Sequence, residues 1–341
     1  MISKFKPNRR VALLGSALAA IFSIASTAVA QTAASSGAAA PYPTKPIRML
    51  VPFAAGGGTD VLARVLGEKM AVGLGQPIVV DNKPGAGGII GTDALAKSPA
   101  DGHTLMLGLS TSLMINQFLY TKLPYDTQRD LTLVYRVAMG PMVLVVHPSV
   151  AAKNGPELLQ YIKSNPAKLA YGSYGIGSYP HLGGAYLSES QQGAMNHIAY
   201  KGEAPMVQDL IGGQIQMAFA SALAAKGHID SGRLRAIGVI GEKRMTVLPN
   251  VPTLAEQGLT DEPYRITGWL AVAAPGGTPK AVVARVAKEI GAALKLPDVR
   301  EKVVAMGFEI EDSSPEKFQA AYRKEMPVWE RLVKQTGARL D

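Results

Sequence analysis

The sequence predicts an α/β protein of two similar lobes, built on mainly parallel sheets, with a cleft between them. Three observations carry that prediction. Short apolar runs alternate with amphipathic stretches from Ile47 onward, the rhythm of βα units. The runs are almost continuously apolar, as parallel strands covered on both faces are. About 310 residues follow an N-terminal leader, more than a single core usually serves.

The leader comes first. "MISKFKPNRR" carries four cations and no acid, "VALLGSALAAIFSIASTAVA" is apolar, and Ala28-Val29-Ala30 fits a small-x-small cleavage site. Residues 1–30 therefore read as a secretory signal peptide. Val11–Ala30 is nearly long enough to span a bilayer, but no cationic stop-transfer flank follows it. Export with cleavage, by the general pathway, is expected. Residues 31–40, "QTAASSGAAA", have no core-forming side chain and read as a disordered spacer. No later stretch is apolar enough to cross a membrane. The chain has no cysteine, which excludes disulfides, thiolate metal sites and lipid attachment through an N-terminal Cys. An exported chain of this kind suits a bacterial periplasm. The net charge of +9 includes four leader cations, and 9 − 4 leaves +5. That bias toward anions comes without the basic blocks that nucleic acid would call for.

Strands are predicted at 47–53, 77–82, 103–108, 131–138, 142–148, 168–173, 196–200, 215–221 and 234–241. Helices are predicted at 59–72, 88–97, 155–164, 179–190 and 204–211, and helices dominate from Thr278 onward, broken by a short extended "FEIED". Gly140-Pro141 separates two extended runs, and "EPYRITGWLAVAAPGG" returns as an isolated extended segment. The chain is expected to cross between lobes at these two places. Lobe one then holds 41–141 plus 265–341, and lobe two holds 142–264.

In such sheets ligands sit beyond strand C-termini, where loops enter helices, and three turns stand out. In "PFAAGGGTD", Thr59 or Asp60 is the expected cap of a helix beginning near Val61. The bare glycines leave N–H groups beside that helix's positive end, an anion site or simply a tight turn. In "YGSYGIGSYPHLGG", Gly175 and Gly177 punctuate, Ser178 caps a helix, and Ser173 and Ser178 offer hydroxyls to a carboxylate. His181, one turn in, fits a histidine bonded within the lobe as well as a ligand contact. In "LGLSTSLMIN", Ser110, Thr111 and Ser112 bunch at the end of the third strand. Enzymatic signatures fail: there is no HExxH, no GxxxxGK[ST], no complete GxGxxG and no GxSxG, and the five histidines lack metal-ligand spacing. Neither an enzyme's nucleophile–base pair nor a metal or cofactor is therefore expected.

"YPTKPIRMLVPFAAGGGTDVLARVLGEKM", "GQPIVVDNKPGAGGIIGTDALAKSPADGHTLMLG", "GSYGIGSYPHL", "YKGEAPMVQDLIGGQIQMAFAS" and "GWLAVAAPGGTPKAVVARVAKEIGAAL" together resemble the tripartite tricarboxylate transporter receptors, also called the Bug family. The likeness runs from Tyr42 to the C-terminus. It implies a monomeric periplasmic solute receptor of the two-lobed Venus-flytrap fold, which closes on a small carboxylate and delivers it to a two-component membrane permease. Carried over, it points to Phe53, Gly57, Gly58 and Thr59 on one side of the ligand and Ser173, Gly177 and Ser178 on the other. Ser110 and Ser112 line the cleft, with Tyr200 and Ala204 near the "YKGEAP" turn. One departure stands out. Where many relatives read "MFD", this chain reads Ala218-Phe219-Ala220. Without that aspartate a buried ligand ammonium lacks its counter-ion, at a cost of several kcal/mol. The expected ligand is therefore a dicarboxylate, hydroxy acid or aromatic acid, not an amino acid. The alternatives are an exported α/β enzyme acting on a carboxylated substrate, for which no nucleophile–base pair or metal site is found, and a receptor that hands the closed form to a membrane sensor instead of a permease.

Overall fold

In β1 (Ile47–Val51) four of five side chains are buried, so both faces of this strand are covered, and its neighbours follow the same logic. A computed structural model describes residues 41–337 of the chain. The signal peptide expected over 1–30 and the spacer expected over 31–40 lie outside the described residues.

As far as β9 the chain alternates strand and helix, except that β4 leads directly into β5. It runs β1, α1 (Gly58–Leu74), β2 (Ile78–Asn82), α2 (Ile89–Ala96), β3 (Thr104–Leu109), a π-helical turn continuing into α3 (Asn116–Leu119), and β4 (Leu131–Gly140). It continues through β5 (Val143–Val146), α4 (Gly155–Ser164), β6 (Ala170–Ser173), α5 (Tyr179–Ser190), β7 (Asn196–Ala199), α6 (Glu203–Ile211), β8 (Met217–Ala220), α7 (Ala222–Asp230) and β9 (Arg235–Val239). The return comprises β10 (Gly268–Pro275), α8 (Lys280–Lys295), α9 (Pro297–Ala305), β11 (Glu309–Ile310) and α10 (Pro315–Gln335).

These strands form two sheets, one per lobe, in the orders β11-β4-β10-β3-β1-β2 and β7-β6-β8-β5-β9. The two-lobed α/β class of the sequence reading stands, but the sheets are mixed where mainly parallel ones were expected. In the first, β1 pairs in parallel with β2 and β3. The returning β10 then inserts between β3 and β4 and is antiparallel to both. In the second, β6 is parallel to β7 and β8, whereas β5 enters antiparallel to β8 and β9. A strand that carries the chain between lobes arrives from the opposite end, which no local hydrophobic pattern records.

Each lobe's crossing strand lies beside the other. Gly140, at the end of β4, pairs with Gly268, at the start of β10, and the Ile240 N–H donates to Met142 O at 2.8 Å. One apolar cluster runs through both lobes, from Leu50, Trp269 and Phe318 to Leu144, Leu182 and Phe219. A second cluster, with Val143, Val145, Met206 and Ala220, backs the smaller sheet. Helix α10 buries Phe318, Tyr322, Trp329, Leu332 and Val333, an amphipathic stripe. It ties the C-terminal region to the cleft: the Tyr322 hydroxyl donates to Leu113 O at 2.9 Å.

Candidate ligand-binding site

At the end of β1 the three glycines divide their work. Gly56 has φ +84°, a conformation that strains any residue with a Cβ. Its N–H donates to Asp60 Oδ2 at 3.0 Å. A methyl group on Gly58 would lie 2.8 Å from Phe308 Cζ. Helix α1 begins at Gly58 with Gly57 as its cap, not near Val61 with a Thr59 or Asp60 cap as the sequence suggests. The reason is Asp60, which reaches back from inside the first turn and so lets the helix start earlier. Burial would raise its pKa, but bonds from Arg64, the Gly56 N–H and Asn82 outweigh that and hold it below the ordinary range. Asn82 Nδ2 also donates to Phe53 O at 3.0 Å, fixing the loop. The first N–H groups of a helix have no intrahelical acceptor, and the residues that carry them here, Gly57, Gly58 and Thr59, line a cavity.

That cavity, about 70 Å³, lies between the lobes and is lined by Phe53, Gly57, Gly58, Thr59 and Ser110 from the first lobe. Its other walls are Tyr174, Tyr179, Glu203 and Ser221 from the second lobe, Met142 at the crossing, and Trp269, Leu270 and Phe308 from the returning chain. At about 10–15 Å³ per water, the space suits a small molecule. The walls are mostly apolar with a few convergent polar groups, the usual make-up of a ligand pocket. Trp269 is locked from behind: its Nε1 donates to Glu325 Oε2 at 2.8 Å, and Glu325 in turn accepts from Arg136 at 2.5 Å. The Tyr179 hydroxyl is committed to Pro263 O.

The remaining residues singled out in the sequence lie elsewhere. Ser112 is fully buried and its hydroxyl donates to Leu109 O at 3.1 Å. Ser173 and Ser178 are also fully buried, and both hydroxyls donate to Gly175 O, at 3.0 and 2.6 Å. Their chemistry is spent on shaping the loop. Gly177 has φ +80°, and a methyl group there would collide with Leu119 of the other lobe. The Gly177 N–H donates to His181 Nδ1 at 3.0 Å. The Tyr200 hydroxyl donates to Asp209 at 2.8 Å. Ala204 is exposed, and Ala220 is buried in the second core.

Part of this group faces a second, outer pocket of about 190 Å³, lined by Gly85–Gly88, Tyr120, Gly175, Ile176, Tyr200 and Lys201. Phe53 and Tyr174 line both pockets. Behind the Gly175 loop, His181 and His197 lie against each other with ring centres 4.2 Å apart and planes tilted by 33°, and Ser173 Oγ lies 2.8 Å from His197 Nε2. Burial, then the neighbouring His197, pulls His181 down to about 3, and burial pulls His197 down to about 4. Both rings are neutral structural groups at ordinary pH.

Sequence reasoning missed Glu203, Ser221, Tyr174, Trp269 and Phe308. Three of them sit one residue from a position it named: Glu203 beside Ala204, Ser221 beside Ala220, Tyr174 beside Ser173. In a loop a one-residue offset decides which way a side chain faces. Ala220 does leave position 220 without an acid. Yet the cavity is not without one, because the carboxylate of Glu203 stands in its wall.

Residues 62–338 match the model of the tripartite tricarboxylate transporter family receptor. The chain belongs to this receptor family. Its similarity to the family's relatives extends over nearly its full length. It is 38% identical to Protein BugT of Bordetella pertussis over 313 residues, 90% of this chain and 95% of that one. A solved structure of the periplasmic binding protein BugD is 35% identical with a TM-score of 0.82, covering 87% of this chain and 99% of that one. The MatC protein of Rhodopseudomonas palustris, solved with bound malate, is 29% identical with a TM-score of 0.81, covering 86% of this chain and all of its own. Tripartite tricarboxylate transporter receptors are solute-binding proteins and not enzymes, and their likeness to periplasmic binding proteins implies the periplasm for this chain. Among the described residues no group of three His, Cys, Asp or Glu is placed to hold a metal ion.

Proposed function

We propose that this receptor captures a small organic carboxylate between its lobes and hands it to a two-component membrane permease of the tripartite tricarboxylate type. The lobes are 41–141 plus 265–341 and 142–264, the protein acts as a monomer, and residues 1–30 direct its export. One observation carries the reading: the N-terminal amides of α1, at Gly57, Gly58 and Thr59, meet a mostly apolar cavity between the two sheets. Such amides, at the positive end of a helix, suit a carboxylate. The malate bound by MatC supports the same ligand chemistry.

Phe53, Ser110 and Thr59 complete the first-lobe grip. The loop carrying Ser173, Gly177 and Ser178 serves the second lobe by placing Tyr174, while Tyr200 and Ala204 belong to its outer rim. With Ala220 in place of an aspartate, and with Glu203 already bonded to Ser221 and Gly58, the ligand is a dicarboxylate, hydroxy acid or aromatic acid without an ammonium group. A thermal-shift screen of the purified protein against carboxylic acids tests this, since a ligand stabilises by RT ln(1 + [L]/Kd). Stabilisation by amine-free acids supports the reading. A response confined to amino acids, or to no acid at all, overturns it.

A further inference from the structure

Glu203 opens α6 and puts an acid where a receptor for anions has least use for one. Its Oε1 accepts the Ser221 N–H at 2.5 Å, and its Oε2 accepts the Ser221 hydroxyl at 2.8 Å. The Gly58 N–H, from the facing lobe, also draws the carboxylate. Glu203 thus lies between the N-termini of α1 and α7, and the groups acting on it include no cation.

Burial raises the Glu203 pKa, against the bonds from Ser221 and the Gly58 N–H that lower it; in its ionised form the carboxylate has about four lone-pair directions and nothing to donate. Three are taken by Ser221 and Gly58, and Glu203 still lines the cavity. Whatever ligand group meets it must therefore donate a hydrogen bond. A second ligand carboxylate brought there faces a like charge in a partly desolvated site, and one of the two must give up its charge or its place.

We propose that Glu203 is the specificity-determining residue of this pocket: it accepts a hydrogen bond from a hydroxyl of the bound acid and keeps a second ligand carboxylate away. This rests on the carboxylate reading above, and narrows its ligand classes to hydroxy acids. The α1 amides of Gly57 and Thr59, on either side of the Gly58 N–H that Glu203 draws on, take the ligand's carboxylate. Glu203, held by Ser221, takes the hydroxyl. The apolar wall of Trp269, Leu270 and Phe308 packs the carbon chain between them.

Calorimetry with a four-carbon series of matched length tests this: butyrate, 2-, 3- and 4-hydroxybutyrate, succinate and 4-aminobutyrate, against the wild-type protein and Glu203→Gln. At least one hydroxybutyrate is expected to bind wild type at least about tenfold tighter than butyrate, with succinate weaker still. Glu203→Gln, close in shape but uncharged, is expected to shrink the hydroxyl preference and to strengthen succinate by about tenfold. Should that variant fail to fold, Glu203→Asp, which draws the charge back from the cavity, is expected to shrink the hydroxyl preference likewise. If succinate outbinds every hydroxybutyrate in wild type, or the variant leaves the ratios unchanged, the role of Glu203 falls while the carboxylate reading stands. If 4-aminobutyrate is tightest, the donor is an ammonium, and both the hydroxyl assignment and the amine-free reading fall. If no acid in the series binds wild type and none stabilises it in the thermal-shift screen, the carboxylate reading itself falls.

Discussion

Phe53 and Tyr174 meet edge to face across the cleft, with ring centres 6.0 Å apart and planes at 82°. Phe53 follows β1 and Tyr174 follows β6, so the contact forms only when the lobes are together. It is also the wall between the inner cavity and the outer pocket. Edge-to-face pairs contribute about 0.5–1.5 kcal/mol beyond the area they bury. Phe53→Leu keeps most of the bulk and loses the pair. It is expected to weaken ligand binding by about three- to tenfold, mainly through faster dissociation, because opening no longer breaks the aromatic contact. Stopped-flow release of bound ligand checks this.

The glycines of the first loop separate by what replaces them. Gly56→Ala meets open space but keeps a backbone at φ +84°, so it is expected to cost about 1–3 kcal/mol of stability and leave affinity nearly unchanged. Gly58→Ala drives a methyl against Phe308, 2.8 Å away, and pushes that ring toward the cavity. Overpacking of this kind costs about 1–3 kcal/mol, and here affinity is expected to fall about tenfold or more as well. Urea unfolding and calorimetry on the two variants distinguish conformational strain from steric crowding.

Ser178→Ala shows where sequence and structure diverge. As a ligand contact, Ser178 would lose affinity on truncation. Buried and bonded to Gly175 O at 2.6 Å, it is instead expected to lose about 1 kcal/mol of stability, seen in urea unfolding, with at most a few-fold change in affinity. A large loss of affinity at unchanged stability would restore its direct role.

The first loop was legible because glycine runs and helix caps are local signals, readable wherever a strand meets a helix. Gly57, Gly58 and Thr59 line the cavity as that glycine run suggests, although the cap is Gly57; Ser110 was marked by its place at the end of the third strand, and Phe53 only by the family resemblance. The second-lobe grip was not legible at residue level. Ser173 and Ser178 look like donors in a sequence, but whether a hydroxyl faces a ligand or its own loop depends on the backbone path. Trp269 joins the site because β10 returns through the middle of the first sheet, and Phe308 because β11 pairs with β4 at its edge; the sequence marks both segments as extended but not where in the sheet they insert. The same return makes the first sheet mixed, and the entry of β5 does so for the second.

The paired histidines set an acid limit on stability. His181 and His197 titrate at about 3 and about 4 in the folded protein, against about 6.5 unfolded. Both are depressed, so the unfolded chain takes up protons first. Their contribution is complete above about pH 6.5 and is lost as pH falls toward the folded values, at up to about 1.4 kcal/mol per pH unit for each ring. Urea unfolding between pH 7.5 and 4 is expected to show that decline. The double variant H181N/H197Q, which keeps one ring nitrogen's bonding in each case, is expected to flatten it.

Capture of a carboxylate by the α1 amides is tested most directly by comparing, in calorimetry, the tightest-binding acid of a panel with its primary amide. The two match in size and shape but differ in charge. An acid favoured over its amide by about a hundredfold or more, with the preference reduced in Gly58→Ala, is the predicted result. An amide that binds as tightly as its parent acid would contradict the account.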